Sequence, residues 1–411
     1  MTEPDVTEPD VTEPAQGSGP LSDVRVLDAS NLIAGPLATM LLADLGAEVV
    51  KIEHPSAGDS LRNHGGQKDG QGLWWKELGR GKLCVTLDLG RPEGQDIFRR
   101  LASRADVVVE NFRPGTMARW GIDFAALQVV NPSLVMAHVT GFGQSGPMSS
   151  LPGFGTIAES MSGFAQRNGT PDGPPTLPPF GLADTVTGIT TALAIMTALW
   201  ERRISRTGQE IDVSIIEPLL TVLEPQIIEH DQLGRVAQRV GNRSTVNAPR
   251  NMYLSRDARW LALSTSTQST ADRLLALIGR PDVVAQPWFS SASERAQHAD
   301  ELDAIVGGWV AGLDHQEVLT ACRSAGVPIS TVYDVRDIVA DPQYAALGAI
   351  ATVPDPDLGP LRMVATPFRL SRTPGQIRWS GPRLGAHNDV VYGRLGLTEA
   401  ELGTLREQGV I

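Results

Sequence analysis

Cysteine is almost absent from this 411-residue chain, which contains only Cys84 and Cys322. Two thiols are too few for a disulfide framework, and no Cys/His spacing is typical of zinc, so we predict two packing cysteines and no metal site. The chain also lacks a basic, apolar signal region at its N-terminus, and its apolar run at 189–200 is too short to span a bilayer. A cytoplasmic location is therefore expected.

An excess of basic residues is absent as well, because the formal net charge is −12. An acidic balance argues against a general nucleic-acid surface. Part of the charge lies in an N-terminal repeat of Thr-Glu-Pro, where proline recurs and apolar periodicity is missing. We predict that residues 1–19 form a disordered acidic tail.

Strand-like and helix-like patterns alternate through the first half of the chain. Short apolar runs typical of buried strands occupy 24–28, 48–53, 105–110 and 134–139, and a turn followed by another strand fits 207–214. Helix-period segments separate several of these runs. This alternation predicts the α/β class, with a doubly wound, mostly parallel, Rossmann-like sheet and ligand loops at the carboxyl ends of its strands.

The pattern changes from Pro218 onward, where a long helix is predicted. We divide the chain into the first part of a large domain at 20–222, a linker at 223–245, a smaller α/β domain at 246–328, and a linker with the second part of the large domain at 329–411.

The first β-α turn, at 31–36, lies where a dinucleotide site would form. It lacks the Gly-x-Gly-x-x-Gly pattern that lets a pyrophosphate approach the backbone, which argues against conventional NAD binding. Glu53, where a dehydrogenase would hold a ribose, is then interpreted as a surface residue. Arg113 and Arg119 follow a later strand. Together with Arg62, Arg80 and Lys82, they predict a cationic site for a phosphorylated, nucleotide-like ligand.

Asp184 is the most informative single residue, because it lies in a Gly-rich segment just before the apolar helical run at 189–200. One interpretation is a helix N-cap, worth about 1 kcal/mol. The other is a nucleophile: a carboxylate near the positive end of a helix stays ionised at neutral pH and can attack an activated carbonyl. The segment alone leaves both open.

A longer series of segments carries a resemblance. In chain order these are 26–28, 34–36, 45–53, 58–59, 110–115, 141–147, 181–188, 207–214, 326–328 and 384–387. From about residue 21 to 411 the chain resembles the family III CoA-transferases, the CaiB/BaiF group that includes formyl-CoA and carnitine CoA-transferases and α-methylacyl-CoA racemases. Asp184 matches that family's nucleophilic aspartate.

The resemblance implies an enzyme that moves CoA between an acyl-CoA and a free carboxylic acid, through a mixed anhydride and then a CoA thioester on Asp184. It implies CoA and acyl-CoA as substrates, no permanently bound cofactor, and an interlocked homodimer with crossings at 216–245 and 325–345. Arg119 is the best candidate for a phosphate partner. Carried over by position, the CoA-binding residues are Leu32, Ile33, Ala34, His54, Leu87, Asp88, Asn111, Phe112, Arg113 and Arg119.

Three departures from the family pattern bear on the reaction. Ile33 and Gly155 stand where formyl-CoA transferases have glutamine and glutamate, which predicts a more apolar acyl pocket and argues against formate/oxalate exchange. Phe154 stands where the racemases carry a proton-transferring histidine, so transferase is favoured over racemase. A third possibility is a CoA-binding protein without turnover.

Overall fold

The computed structural model describes residues 19–411, so the predicted acidic tail lies outside the described residues except for Gly19. Residue contacts group the chain into two units. One runs to Ser162 and also includes Pro178–Glu224 and Ala346–Ile411, and the other contains Gly163–Leu177 and Pro225–Ala345. The segment 246–328 falls inside the second unit, and the domain boundaries drawn from the sequence stay a prediction.

The strands are β1 (Arg25–Asp28), β2 (Glu48–Glu53), β3 (Gln67–Lys68), β4 (Gln71–Gly72), β5 (Lys82–Thr86), β6 (Val107–Glu110), β7 (Val135–Thr140), β8 (Glu210–Ser214), β9 (Arg250–Leu254), β10 (Trp260–Ser264), β11 (Ile329–Thr331), β12 (Ile350–Asp355) and β13 (Gly359–Val364).

The α-helices are α1 (Ala34–Asp44), α2 (Leu73–Leu78), α3 (Pro92–Ala102), α4 (Thr116–Arg119), α5 (Phe124–Val130), α6 (Gly155–Met161), α7 (Phe164–Arg167), α8 (Leu182–Ser205), α9 (Ile216–Thr221), α10 (Gln226–Leu233), α11 (Gln268–Ile278), α12 (Pro281–Val284), α13 (Ala292–Gln297), α14 (Ala299–Ala311), α15 (His315–Ser324), α16 (Val335–Ala340), α17 (Pro342–Leu347), α18 (Asn388–Gly393) and α19 (Glu399–Glu407). Short 3₁₀ helices occupy Ser60–Asn63 and Pro287–Ser290.

A parallel sheet in the first unit has the strand order β5-β2-β1-β6-β7-β8. The chain builds outward from β1 to β2 and β5, then returns to β6 beside β1 and builds the other way. The strand order therefore reverses between β1 and β6, and the loops after these strands flank the crevice where such sheets bind ligands. The predicted α/β class and doubly wound parallel sheet are confirmed.

Two apolar cores cover the faces of this sheet. On one face, buried side chains of β1, β6 and β7 pack with α1 and α8. On the other they pack with α3, α5, α18 and α19. Cys84 is buried in the first unit and Cys322 in the second, so the prediction of packing cysteines is confirmed.

The helix α8 is longer than the apolar run at 189–200 indicated. With 24 residues it is long and apolar enough, by length and composition alone, to cross a membrane, so the expectation that this segment is too short was wrong. Ile195, Ala198 and Leu199 instead pack in the core against the sheet. The long helix expected from Pro218 was also wrong: α9 and α10 are separate short helices, and Pro225 precedes the second.

The second unit has a small antiparallel sheet in the order β11-β10-β9. Its core is formed by one face of that sheet with buried residues of α11, α14 and α15, such as Leu274, Val306 and Val318.

Buried charges link β1, β2 and β5 inside the first unit. Lys82 Nζ lies 2.9 Å from Asp28 Oδ2, and Lys51 Nζ lies 3.8 Å from Asp28 Oδ1 and 3.0 Å from Asp59 Oδ2. All four side chains are fully buried. Burial alone would raise the pKa of Asp28, but Lys51 and Lys82 outweigh it and hold that pKa far below its usual value. Buried charges of this kind are tolerated only when paired.

Several basic residues expected at a surface cationic site belong to buried pairs instead. Arg62 forms two hydrogen bonds of 2.7 Å to Glu53, which is buried rather than a surface residue. Arg80 binds Asp44, and Lys82 binds Asp28. The prediction that Arg62, Arg80 and Lys82 contribute to a ligand site was wrong, because each side chain is neutralised inside the fold.

The buried pairs predict a large stability effect at Asp28. Asp28→Asn removes the charge that compensates Lys82, and breaking a buried pair on one side costs about 3–5 kcal/mol. We expect that decrease in the free energy of unfolding, measured by urea denaturation. Asp23→Asn, at an exposed position, should change it little. Equal stability of the two variants would contradict this interpretation of the network.

Candidate active site

A cavity of about 230 Å³ opens at the carboxyl edge of the parallel sheet. The loops after β1, β6, β7 and β8 contribute to its wall, and Asp184 comes from the first turn of α8. The residues lining it are Asn31, Leu32, Ile33, Ala34, Asn111, Phe112, Arg113, Pro114, Val139, Thr140, Gly141, Ser149, Leu151, Pro152, Gly153, Phe154, Asp184 and Ile215. Six of the predicted CoA-binding residues and Asp184 thus share one cavity.

The loop after β1 is held in a strained conformation. Leu32 has φ of 65°, in the left-handed region that costs an ordinary side chain energy. Its N–H donates to Asp59 Oδ1 at 2.9 Å. The neighbouring Asn31 donates its N–H to Asn111 Oδ1 at 2.8 Å, and Asn111 Nδ2 donates back to the Asn31 carbonyl at 2.8 Å. These bonds join the loops after β1 and β6 on either side of the crevice.

Glu110, the last residue of β6, holds the loop that follows this strand. Its Oε2 accepts the N–H of Phe112 at 2.7 Å, and its Oε1 pairs with Nδ1 of His138 on β7. His138 is buried, and its Nε2 lies 3.2 Å from Glu210 Oε1. Burial would lower the pKa of His138, but Glu110 and Glu210 reverse that and raise it. The contact between Glu110 and His138 thus holds the loop that carries Asn111, Phe112 and Arg113.

Helix α8 brings Asp184 to the cavity through a close approach to α1. A Cβ on Gly188 would lie 2.8 Å from the carbonyl oxygen of Ala34 and 2.9 Å from Leu37 Cβ, so only glycine permits this packing. Gly188 is one helical turn after Asp184. The glycine therefore places Asp184 beside the start of α1 and the loop before it.

Asp184 is not the cap of α8. The N-cap is Gly181, and Asp184 is the third helical residue. Among residues 19–411, no donor forms a hydrogen bond with its carboxylate that lowers its pKa. The N-cap interpretation was therefore wrong, and this side chain is left without the local role that capping would give it.

The surroundings of Asp184 raise its pKa above that of a typical, exposed aspartate. Burial is the main cause and the buried Glu159 on α6 the second, and together they raise the pKa of Asp184 to about 6. Asp184 is thus ionised in most molecules at neutral pH, as predicted, but it is much more basic than an exposed aspartate. A Cβ on Gly155 would lie 2.3 Å from Asp184 Oδ2, so the carboxylate occupies the space that a side chain would need.

The remaining predicted residues lie outside the cavity lining. His54 Nε2 lies 3.9 Å from Asp88 Oδ2, after the neighbouring strands β2 and β5. Leu87 is buried in the core. Arg119 on α4 donates to Thr116 Oγ1 at 2.9 Å and is exposed. His54, Asp88 and Arg119 follow strands β2, β5 and β6 at the same edge of the sheet as the cavity.

Comparison with known proteins agrees with this geometry. A sequence model of CoA-transferase family III matches residues 21–388. The chain belongs to CoA-transferase family III. It is 39% identical over 394 residues to the succinyl-CoA–D-citramalate CoA-transferase of Chloroflexus aurantiacus, covering 95% of this chain and 98% of that protein. It is 33% identical over 387 residues to the succinate–glutarate CoA-transferase of Agrobacterium fabrum, covering 92% and 96%.

A solved structure of a CaiB/BaiF family protein from Brucella suis has a TM-score of 0.81 and 28% identity, covering 92% of this chain and 100% of that one. The predicted enzyme class is confirmed, and CoA-transferases of this family use CoA thioesters as substrates.

Phe154 lies in the cavity wall, at the position where the racemases carry their proton-transferring histidine, and a phenyl ring carries no exchangeable proton. Within residues 19–411, His, Cys, Asp and Glu side chains form no group suited to a metal ion.

Sequence reasoning missed two acids that shape the site. Asp59 follows the glycine of the segment 58–59, which was noted only as a family landmark. Glu159 lies in α6, and an acid in a helix ordinarily faces water. Its spacing of four residues from Gly155 places both on one face of α6, and this spacing was the signal in the sequence that Glu159 faces α8 as well.

The tight contact at Gly155 predicts a loss of activity on enlarging it. Gly155→Ala puts a Cβ 2.3 Å from Asp184 Oδ2, so the carboxylate must move, and a displacement of about 1 Å can cost about 100-fold in rate. We expect CoA transfer to slow by about 10- to 100-fold in a steady-state assay. Gly403→Ala, on a helix with open space at that position, should transfer CoA normally. A wild-type rate for Gly155→Ala would show that the position of Asp184 is not critical.

Proposed function

We propose that this enzyme transfers CoA from succinyl-CoA to a small dicarboxylic acid, with Asp184 as the covalent carrier. The observation that supports this most is the placement of the Asp184 carboxylate, partly buried and without a capping role, in the cavity formed by the loops around the switch point of the sheet. The two relatives compared above act, by name, on succinate or succinyl-CoA together with D-citramalate or glutarate.

In the first step a carboxylate oxygen of Asp184 attacks the thioester carbonyl. The carbon–sulfur bond breaks, CoA leaves as its thiolate, and a mixed anhydride joins Asp184 to the succinyl group. An ordinary aspartate has a pKa of about 3.9 and a thiol about 8.5, so the leaving group is more basic by roughly 4.6 units. With the pKa of Asp184 raised to about 6, the difference falls to roughly 2.5 units, or on the order of 3 kcal/mol.

The thiolate then attacks the Asp184 carbonyl, releasing succinate and leaving CoA bound to Asp184 as a thioester. An incoming carboxylate repeats the two steps in reverse: it attacks the aspartyl thioester, and the expelled thiolate attacks the acceptor's carbonyl. The new acyl-CoA forms and the Asp184 carboxylate returns. These steps exchange only carboxylates and a thiolate, so they need no resident cofactor.

CoA would lie along the carboxyl edge of the sheet, with its thioester at Asp184. From β6 the edge continues through β1 and β2 to β5, and neighbouring strands lie about 4.8 Å apart. His54 and Asp88 therefore fall where a long ligand leaving the cavity would pass. Arg113 and Arg119 are exposed and form no ion pair with a described carboxylate, so both are available to phosphate oxygens.

An isosteric change at Asp184 tests the carrier role. Asp184→Asn keeps the shape of the side chain and removes the nucleophilic carboxylate, so transfer from succinyl-CoA to glutarate or citramalate should fall by at least about 10³-fold. The rate is measured by chromatography of the acyl-CoA products, with Asp69→Asn in the exposed turn between β3 and β4 as the control. Normal transfer by Asp184→Asn would reject the proposal.

We also propose that the enzyme works as the homodimer implied by the family resemblance. The outer face of α8 supports this, because Leu193, Trp200 and Ile204 are 67%, 68% and 78% exposed in the single chain. Apolar side chains grouped on one helix face usually contact a partner.

Light scattering at micromolar concentration tests the dimer. We expect a mass about twice the 43.9 kDa of one chain, because a dimer would cover the apolar face of α8. A particle of one-chain mass that transfers CoA at full rate would contradict the dimer and leave the exposed face of α8 unexplained.

A further inference from the structure

Helix α6 presents two residues to the first turn of α8. Gly155 and Glu159 are four residues apart and share one face of α6. Gly155 lies against the Asp184 carboxylate, and Glu159 Oε1 accepts the N–H of Ala183 at 3.2 Å. Glu159 is only 3% exposed, so its carboxylate is held in place beside the residue that precedes Asp184.

The first turn of α8 supplies a hydrogen-bond donor to Glu159. The N–H groups of a first helical turn have no partner within the helix, and Ala183 supplies one of them to Glu159. Glu159 thus lies at the N-terminal end of a 24-residue helix. Asp184 lies in the same turn but accepts no such hydrogen bond from a described residue. The same helix end therefore stabilises the Glu159 carboxylate by a hydrogen bond and leaves the Asp184 carboxylate without one.

Among the described residues, Glu159 is the charged neighbour that raises the pKa of Asp184, after burial itself. The elements packed against α8 carry other titratable groups, and the cavity wall adds one more, yet none of these contributes to the shift at Asp184. These other groups are Asp44 on α1, Glu217 on α9, His138 on β7, Glu210 and Asp212 on β8, and Arg113 in the loop after β6.

We propose that Glu159 is a positioning residue that acts through its charge: it destabilises the ionised form of Asp184 relative to the covalent forms of the reaction. This inference rests on the proposed function. When Asp184 attacks the thioester, its negative charge passes to the departing thiolate, and both the anhydride and the thioester on Asp184 are neutral. Repulsion from Glu159 is therefore present in the free enzyme and relieved in each covalent state.

Repulsion between Glu159 and Asp184 also makes the Asp184 carboxylate more basic, and this basicity affects the reaction in two ways. A carboxylate that is more basic is a better nucleophile toward an acyl carbonyl and a poorer leaving group from the anhydride. Both changes favour formation of the anhydride from succinyl-CoA, whereas the second one opposes the last step, in which Asp184 is itself the leaving group. A structural role for Glu159, limited to binding the Ala183 N–H, would give neither.

Two variants separate the charge of Glu159 from its hydrogen bond. Glu159→Gln keeps an oxygen that can accept the Ala183 N–H and removes the charge. Glu159→Asp keeps the charge on a shorter side chain and weakens the hydrogen bond. Glu201→Gln, the same substitution at the exposed far end of α8, is the matched control. Thermal unfolding of each variant reports any loss of structure.

The readouts are the acidic limb of the pH profile for transfer and the fraction of enzyme trapped as an Asp184–CoA adduct with excess succinyl-CoA. In Glu159→Gln we expect the limb to move about 1 unit to lower pH, because removal of a neighbouring like charge lowers the pKa of Asp184. The trapped fraction should fall severalfold. Glu159→Asp and Glu201→Gln should keep the wild-type limb.

An unchanged limb in Glu159→Gln would overturn the proposal, as would a shift in Glu159→Asp as large as that in Glu159→Gln. Failure of the proposed function gives a different result: wild-type enzyme would transfer CoA without any adduct on Asp184. That outcome would overturn both proposals, whereas an unchanged limb with a normal adduct removes only the role of Glu159.

Discussion

The buried pairing of Asp28 with Lys51 and Lys82 is the constraint on which the site depends. Three neighbouring parallel strands place these charges inside the sheet, where none can be left without a partner. Lys51 also pairs with Asp59, and Asp59 accepts the N–H of Leu32. Asp59 thus joins the buried ion pairs of the sheet to the strained loop that lines the cavity. This connection explains why a leucine can hold a left-handed conformation there.

Close approach of backbones brings Asp184 to that loop. Gly188 lets α8 meet α1, and Gly155 lets the Asp184 carboxylate lie against α6. The carboxylate is desolvated without gaining hydrogen bonds, and its pKa rises toward neutrality. Burial gives this aspartate a raised basicity, which supports the attack on a thioester that we propose for it.

Local patterns predicted much of this architecture. The strand-like runs near 48–53 and 105–110 and the helices between them led to the parallel sheet with its ligand loops at one edge. The family resemblance, and not the local pattern, assigned Ile33 and Asp184 to the same site as Asn111. Partner choice could not be predicted. Glu53 and Arg62 look like surface charges in a sequence, and only the tertiary fold brings them into a buried pair. Glu159 was missed for the same reason, since its burial depends on the packing of α6 on α8.

The central claim, a covalent bond between Asp184 and the acyl groups, can be tested by following oxygen atoms. If the anhydride forms, one carboxylate oxygen of the acceptor bridges to Asp184 and remains there when the thiolate takes the acyl group. Enzyme turning over succinyl-CoA with ¹⁸O-labelled glutarate in ordinary water should therefore carry ¹⁸O in the Asp184 peptide, detected by mass spectrometry after digestion. Formation of glutaryl-CoA with no label in that peptide would contradict the account.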